Sequence, residues 1–306
     1  MHLRSVGKAG LSLVGVAVLA TSAVACSTSA ASSPGQQSTA SAPVAMATTN
    51  PTLWPSVIDM PTQMADKPTY EQTLPLFAYK GDQPFNVKEQ NPADNQDGAT
   101  VKDITFVGAA GEPIEAYLVL PSGNGPFPAI LFEHMMGSTR EEFLPEATTL
   151  AQKQHLASLL VTRPTSAVAG DDLTETVLQV REIRRALDFL VSQSQVDVAR
   201  LAYVGHSMGA MLGVVSTSVD SRFKTAVFMT PVPSGANLSL FAPHSAASSS
   251  LFQFGNQDSL YAKDEANTFA ALLPGTKQIS WYDAGHGLNG AAQTDREAWL
   301  LARLAK

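Results

Sequence analysis

Gly205-His206-Ser207-Met208-Gly209 sets a serine midway between two glycines. A serine hydroxyl becomes a useful nucleophile only when it stands clear of the backbone and beside a base. A sharp turn achieves the first condition. The chain folds back there so tightly that the positions two before and two after have little room for a side chain. Leu201-Ala202-Tyr203-Val204 reads as a strand, and Ala210 to Val215 reads as the start of a helix. Strand, turn and helix form the context that makes the pattern a nucleophile elbow. The plainer alternative for Ser207 is a cap on an ordinary helix.

A base and an orienting acid should follow. His286 lies in Trp281-Tyr282-Asp283-Ala284-Gly285-His286-Gly287, where flanking glycines let a loop bring an imidazole close to another backbone. Of the six histidines, it alone follows both the serine and a candidate acid in a glycine loop after a strand. That acid is Asp258, a few residues past the strand Leu251 to Phe254, placed to accept an imidazole N–H and fix its tautomer. Asp264 and Asp283 compete for the role, although Asp264 reads as a first-turn helix residue.

Acyl transfer also needs two N–H donors aimed at the developing oxyanion. One is expected from Met208, the residue after the serine. The other is expected from the loop Glu133-His134-Met135-Met136-Gly137-Ser138-Thr139-Arg140, with Met136 first and Met135 as the near alternative. His134 reads as a strand-end histidine that holds this loop by hydrogen bonds. Met135, His134 and His206 are candidates for lining the substrate pocket, and Met135, Met136, Met208 and Met229 for a soft apolar wall. No metal site and no cofactor are called for.

These residues need a scaffold. Val101 to Phe106 and Ile114 to Leu120 alternate as paired strands, and Pro128 to Phe132 is a continuous apolar run, the mark of a strand buried on both faces. Ala157 to Val161, Ala226 to Met229, Leu251 to Phe254 and Gln278 to Tyr282 read as further strands. Helices are expected over Glu141 to His155, Thr174 to Ser192, Asp264 to Leu273 and Asp295 to Leu304. The second of these is amphipathic, with Arg181, Glu182, Arg184 and Arg185 largely off its apolar face. Short buried strands alternating with helices imply an α/β fold, a mostly parallel central sheet with helices on both faces. In such a sheet the ligand crevice lies beyond the carboxyl ends of the strands, where every candidate above falls.

From about Val101 to the C-terminus the chain resembles the α/β-hydrolase superfamily, and within it the dienelactone-hydrolase-like esterases with a serine nucleophile. The likeness rests on Pro126 to His134, Ala202 to Ala210, Phe252 to Asp258 and Trp281 to His286. It implies the α/β-hydrolase fold, Ser207 as nucleophile, His286 as base, Asp258 as orienting acid and the 134–137 loop as half of the oxyanion hole. Met135 and Met136 depart from it, since the family commonly has glycine there. Ser207 departs too, standing where a true dienelactone hydrolase has cysteine. The expected reaction is hydrolysis of a small carboxylic ester. Amide or thioester cleavage on the same residues, a cofactor-free peroxidase side activity and a non-catalytic ligand-binding envelope lipoprotein are the alternatives. Arg163 to Asp172 and Val232 to Ser250 are too short for a large cap domain.

The expected organisation is a signal peptide over 1–25, a Ser/Thr/Ala-rich tether over 26–50, an irregular extension over 51–98 that partly shades the site, and the hydrolase domain over 99–306. Leu11 to Ala25 is apolar but too short to span a bilayer comfortably. Ala23-Val24-Ala25-Cys26 resembles a bacterial lipobox and implies lipidation at Cys26, the only cysteine, with Ala23 where leucine is commoner. Export is expected, anchored at the outer face of a bacterial cell membrane or otherwise secreted. A net charge of −7 without an Arg/Lys cluster argues against nucleic acid as a partner.

Overall fold

The computed structural model describes residues 67–163 and 172–305. The proposed signal peptide, tether and Cys26 lie outside the described residues, as does Trp54. Strands β1 (Lys88–Glu89) and β2 (Asp94–Gln96) are short and both pair antiparallel with β3 (Ala99–Val107). β3 forms an antiparallel hairpin with β4 (Pro113–Pro121), and β4 pairs antiparallel with β6 (Ala157–Thr162). From β6 onward every pairing is parallel, through β5 (Phe127–Glu133), β7 (Val196–His206), β8 (Thr225–Met229), β9 (Ser249–Gly255) and β10 (Thr276–Tyr282). The sheet order is β1-β3-β4-β6-β5-β7-β8-β9-β10, the fold of an α/β hydrolase.

The side-chain period of two along each buried strand feeds two apolar layers. Leu131, Tyr203, Phe228 and Phe252 face α3 (Leu173–Val191), α4 (Met208–Val219), α5 (Ala236–Phe241) and α6 (Lys263–Leu272). Ile130, Phe132, Val204 and Leu251 face α2 (Leu144–Gln154) and α7 (Gly290–Leu304). Because β5 and β7 to β10 run the same way, their carboxyl ends share one edge. Residues 134–137, 207, 230, 258 and 286 all follow these ends. Among the described residues no helix is long and apolar enough to cross a membrane.

The described part of the N-terminal extension does not shade that edge. It begins with the helical turn α1 (Tyr70–Thr73) and packs along α3. Arg181 Nε donates to the Leu76 carbonyl and Arg184 Nη1 to that of Phe77, both at 2.7 Å. Arg185, fully buried, donates to the carbonyls of Gly81 (2.8 Å), Gln83 (2.5 Å) and Val107 (3.2 Å) and stacks on the Phe85 ring. The arginines off the apolar face of α3 thus hold another segment, while Glu182 accepts the Ala109 and Ala110 N–H groups. Tyr70 donates its hydroxyl to the Ser218 carbonyl at 2.6 Å, about three turns and ~16 Å along α4 from Ser207. Tyr70 to Gln83 of the extension therefore sit toward the opposite edge from the candidate residues.

Candidate active site

β7 ends at His206 and α4 begins at Met208, which leaves Ser207 alone at the turn with φ 53° and ψ −113°. A backbone of this kind costs ~1–3 kcal/mol and persists only where the surroundings enforce it. Here the Ser207 N–H donates to the Met229 carbonyl (2.8 Å) and its carbonyl accepts from the Met211 N–H (3.0 Å). A Cβ at Gly205 would overlap the Gly209 carbonyl, and one at Gly209 the Glu133 carbonyl, so the elbow needs both glycines. The Ser207 side chain is half-buried, and its hydroxyl makes no hydrogen bond among the described residues.

His286 Nδ1 lies 2.6 Å from Asp258 Oδ2. The Asp258 side chain is buried and the imidazole a quarter exposed, so the ring spans from interior to surface. Asp258 Oδ1 accepts the Leu260 N–H at 3.0 Å. Burial pushes the Asp258 carboxyl up, but the bonds from Leu260, His286 and Tyr261 outweigh it and hold the group below the ordinary carboxylate range. The His286 carbonyl is clamped by the Thr230 hydroxyl (3.1 Å) and by His206 Nε2 (3.0 Å). Since His206 immediately precedes Ser207, this clamp fixes the His286 backbone against the elbow. Of the competing acids, Asp264 lies in the first turn of α6, and Asp283 accepts from Gln257 Nε2 at 2.6 Å.

The loop after β5 is fixed from several sides. Met135 N–H is committed to Glu142 Oε2 at 2.9 Å, which removes it as an oxyanion donor. Met135 O accepts from His134 Nδ1 (2.6 Å) and from the Ser138 N–H (3.2 Å). In a trans peptide the N–H points opposite to the C=O. Anchoring Met135 O therefore aims the Met136 N–H away from those bonds, and no partner takes it among the described residues. Met208 N–H is also untaken and lies at the positive end of α4. Beneath the loop, Arg163 pairs with Glu133 and donates to the His134 carbonyl at 2.7 Å. Burial outweighs Arg163 and pushes the Glu133 carboxyl up to about 7.

One pocket expectation is corrected here. His134 is buried, its Nδ1–H spent on Met135 O and its Nε2 accepting the Arg163 N–H at 3.2 Å, so it holds the loop and does not line a pocket at the open face. Burial and the Arg163 charge lower its pKa to about 4, which keeps the ring neutral. His206 is buried too, with both nitrogens bonded within the protein, and it borders a cavity of about 280 Å³ together with Glu142, Glu146, Met229 and Arg296. Nor is there a four-methionine wall: Met208 and Met229 belong to the two core layers, Met135 is half-buried and Met136 is 56% exposed. Sequence reading missed Glu142 and Thr230. The stretch Thr139-Arg140-Glu141-Glu142 carries a capping-box signature, and only the tertiary contacts reveal that Glu142 reaches Met135 and His206 instead. Among the described residues no group of His, Cys, Asp or Glu is arranged to hold a metal ion.

Residues 114–298 match the dienelactone hydrolase family. The chain belongs to the dienelactone hydrolase family. That stretch runs from β4 into α7, and so contains every candidate residue at the carboxyl edge. A polyketide transferase, ATR5, from Stachybotrys chlorohalonatus is 28% identical over 136 residues, 43% of this chain and 45% of that protein. The chain thus spans under half the length of the curated relatives it matches. Among solved structures, an acetyl xylan esterase from Paenibacillus sp. R4 aligns with TM-score 0.60 at 19% identity, covering 80% of this chain and all of that one. An S-formylglutathione hydrolase from Agrobacterium tumefaciens aligns with TM-score 0.56 at 14% identity, covering 69% and 98%. At such identities the likeness is one of fold.

Proposed function

We propose that this protein is a hydrolase that cleaves carboxylic esters through Ser207, His286 and Asp258 by way of an acyl-enzyme. The observation that carries this reading is the 2.6 Å bond from His286 Nδ1 to Asp258, on a ring whose carbonyl is clamped beside the Ser207 turn. That bond places the Nδ1 proton toward the acid and leaves Nε2 as the basic nitrogen. Ser207 Oγ attacks the ester carbonyl carbon while its proton passes to His286 Nε2. The N–H groups of Met208 and Met136 hold the oxyanion, and Asp258 stabilises the imidazolium. Collapse breaks the bond to the alcohol oxygen, which takes the proton from Nε2. Water, deprotonated by the same nitrogen, then releases the acid and restores Ser207.

A fluorophosphonate probe labelling the parent protein, but not Ser207→Ala, is the expected result. Turnover of p-nitrophenyl acetate at the parental rate by Ser207→Ala would refute the assignment. Export and lipid anchoring through Cys26 belong to the same proposal and rest on the N-terminal sequence.

A further inference from the structure

His206 is bonded at both ends of its ring. Nδ1 lies 2.5 Å from Glu142 Oε1, and Nε2 lies 3.0 Å from the His286 carbonyl oxygen. A carboxylate and a carbonyl can only accept. A neutral imidazole has one N–H, so one of its nitrogens would present a lone pair to an oxygen lone pair. Only a ring with protons on both nitrogens makes both bonds. Glu142 is fitted to remain the anion opposite: its other oxygen accepts the Met135 N–H at 2.9 Å. Although burial pushes its carboxyl up, the bonds and charge of His206, together with Met135 and Ser138, hold it below the ordinary range.

We propose that His206, carrying both ring protons, and Glu142 form a charged clasp that positions both halves of the catalytic apparatus. One arm reaches His286, whose carbonyl it shares with Thr230. The other reaches Met135 and so fixes the start of the loop that presents the Met136 N–H. Neither residue touches the reacting atoms; both are positioning residues, and the proposal rests on the ester-hydrolase reading above. The clasp ties together three chain segments, after β5, at the end of β7 and after β10, that share no covalent neighbour.

The surroundings suit a charged pair. His206 and Glu142 border a cavity of about 280 Å³ together with Glu146 from α2 and Arg296 from α7. Those two pair with each other, Arg296 Nε lying 2.8 Å from Glu146 Oε1, so the cavity's charges balance when His206 is a cation. The other titratable ring facing His206 is that of His286, with centroids 5.5 Å apart. A glutamine at 142 can offer an N–H to a neutral His206 Nδ1, leaving Nε2–H for the His286 carbonyl, so Glu142→Gln keeps the connection without the charge.

The test combines a spectrum with kinetics. In 15N–1H spectra of the imidazoles, assigned by the signals that His206→Gln removes, His206 of the parent should carry protons on both nitrogens at neutral pH. In Glu142→Gln it should carry one. Glu142→Ala should lower kcat about 10- to 100-fold on p-nitrophenyl acetate, the scale of misplacing reacting groups by up to ~1 Å, with KM little changed. Glu142→Gln should recover most of that loss. A singly protonated His206 in the parent at neutral pH overturns the proposal, as does full kcat in Glu142→Ala. The spectrum is read whether or not Glu142→Ala folds. It also separates the two readings: a parent inert to fluorophosphonate with a doubly protonated His206 would sink the esterase assignment and leave the charged clasp standing.

Discussion

Gly255 closes β9, and a methyl group added there would press on the loop that carries His286. Its Cβ would stand 2.5 Å from the Gly285 carbonyl oxygen, where ordinary contact begins at 3.4 Å. The Ala284 carbonyl crowds the same spot, so both obstacles are backbone, and the loop must retreat by about 1 Å to make room. Gly285 immediately precedes His286, whose bond to Asp258 is 2.6 Å and cannot stretch that far and remain a hydrogen bond. A misplacement of this size costs roughly 100-fold in rate, equivalent to about 2.7 kcal/mol of transition-state stabilisation. Gly255→Ala should therefore lose roughly that factor in kcat on p-nitrophenyl acetate while KM changes little. Labelling of Ser207 by a fluorophosphonate should slow in parallel, and circular dichroism should report a folded protein. A Gly255→Ala enzyme with parental kcat and an unshifted melting temperature would refute the argument that this close approach sets the His286 loop.

Three further outcomes are expected. His134, with a folded-state pKa lowered to about 4 against an ordinary 6.5, contributes stability that is present above pH ~6.5 and lost as pH falls toward ~4. Urea melts across that window should show a parental slope worth up to about 3 kcal/mol that flattens in His134→Gln. Arg185→Met breaks three charge-assisted bonds to carbonyls in a fully buried place, so it should lose about 3–5 kcal/mol in thermal melts, yet leave kcat/KM on p-nitrophenyl acetate unchanged. Cys26→Ala should move the protein from the membrane to the soluble fraction, as immunoblots of fractionated cells would register.

The order of strands and helices was legible because buried strands and amphipathic helices announce themselves by apolar period. Ser207, Asp258 and His286 could be singled out for a related reason: each follows a strand end, and glycines mark the turns at 205, 209, 285 and 287. Glu142 and Thr230 could not, because their roles depend on contacts to His206 and His286 that leave no local periodicity. The place of residues 70–85 was hidden for the same cause. Arg181, Arg184 and Arg185 look like a solvated face until main-chain oxygens of a distant segment are seen to occupy them. The sequence puts Met136 first and Met135 as the near alternative for the oxyanion donor, and the structure adds that the Met135 amide is already spent.

The bonds that hold the extension run from arginine side chains to main-chain oxygens, which every residue type supplies. Those bonds ask nothing of the segment's own side chains, which anchor it separately through buried Phe77 and the Tyr79 hydroxyl on Asp188, while α3 must keep its guanidinium groups. Tyr70 fastens the segment at the end of α4 remote from Ser207. A pull applied to the chain ahead of Tyr70 would accordingly load the Tyr70 bond to Ser218 and then this arginine-laced seam, and the rim that carries Ser207 would be shielded from the strain.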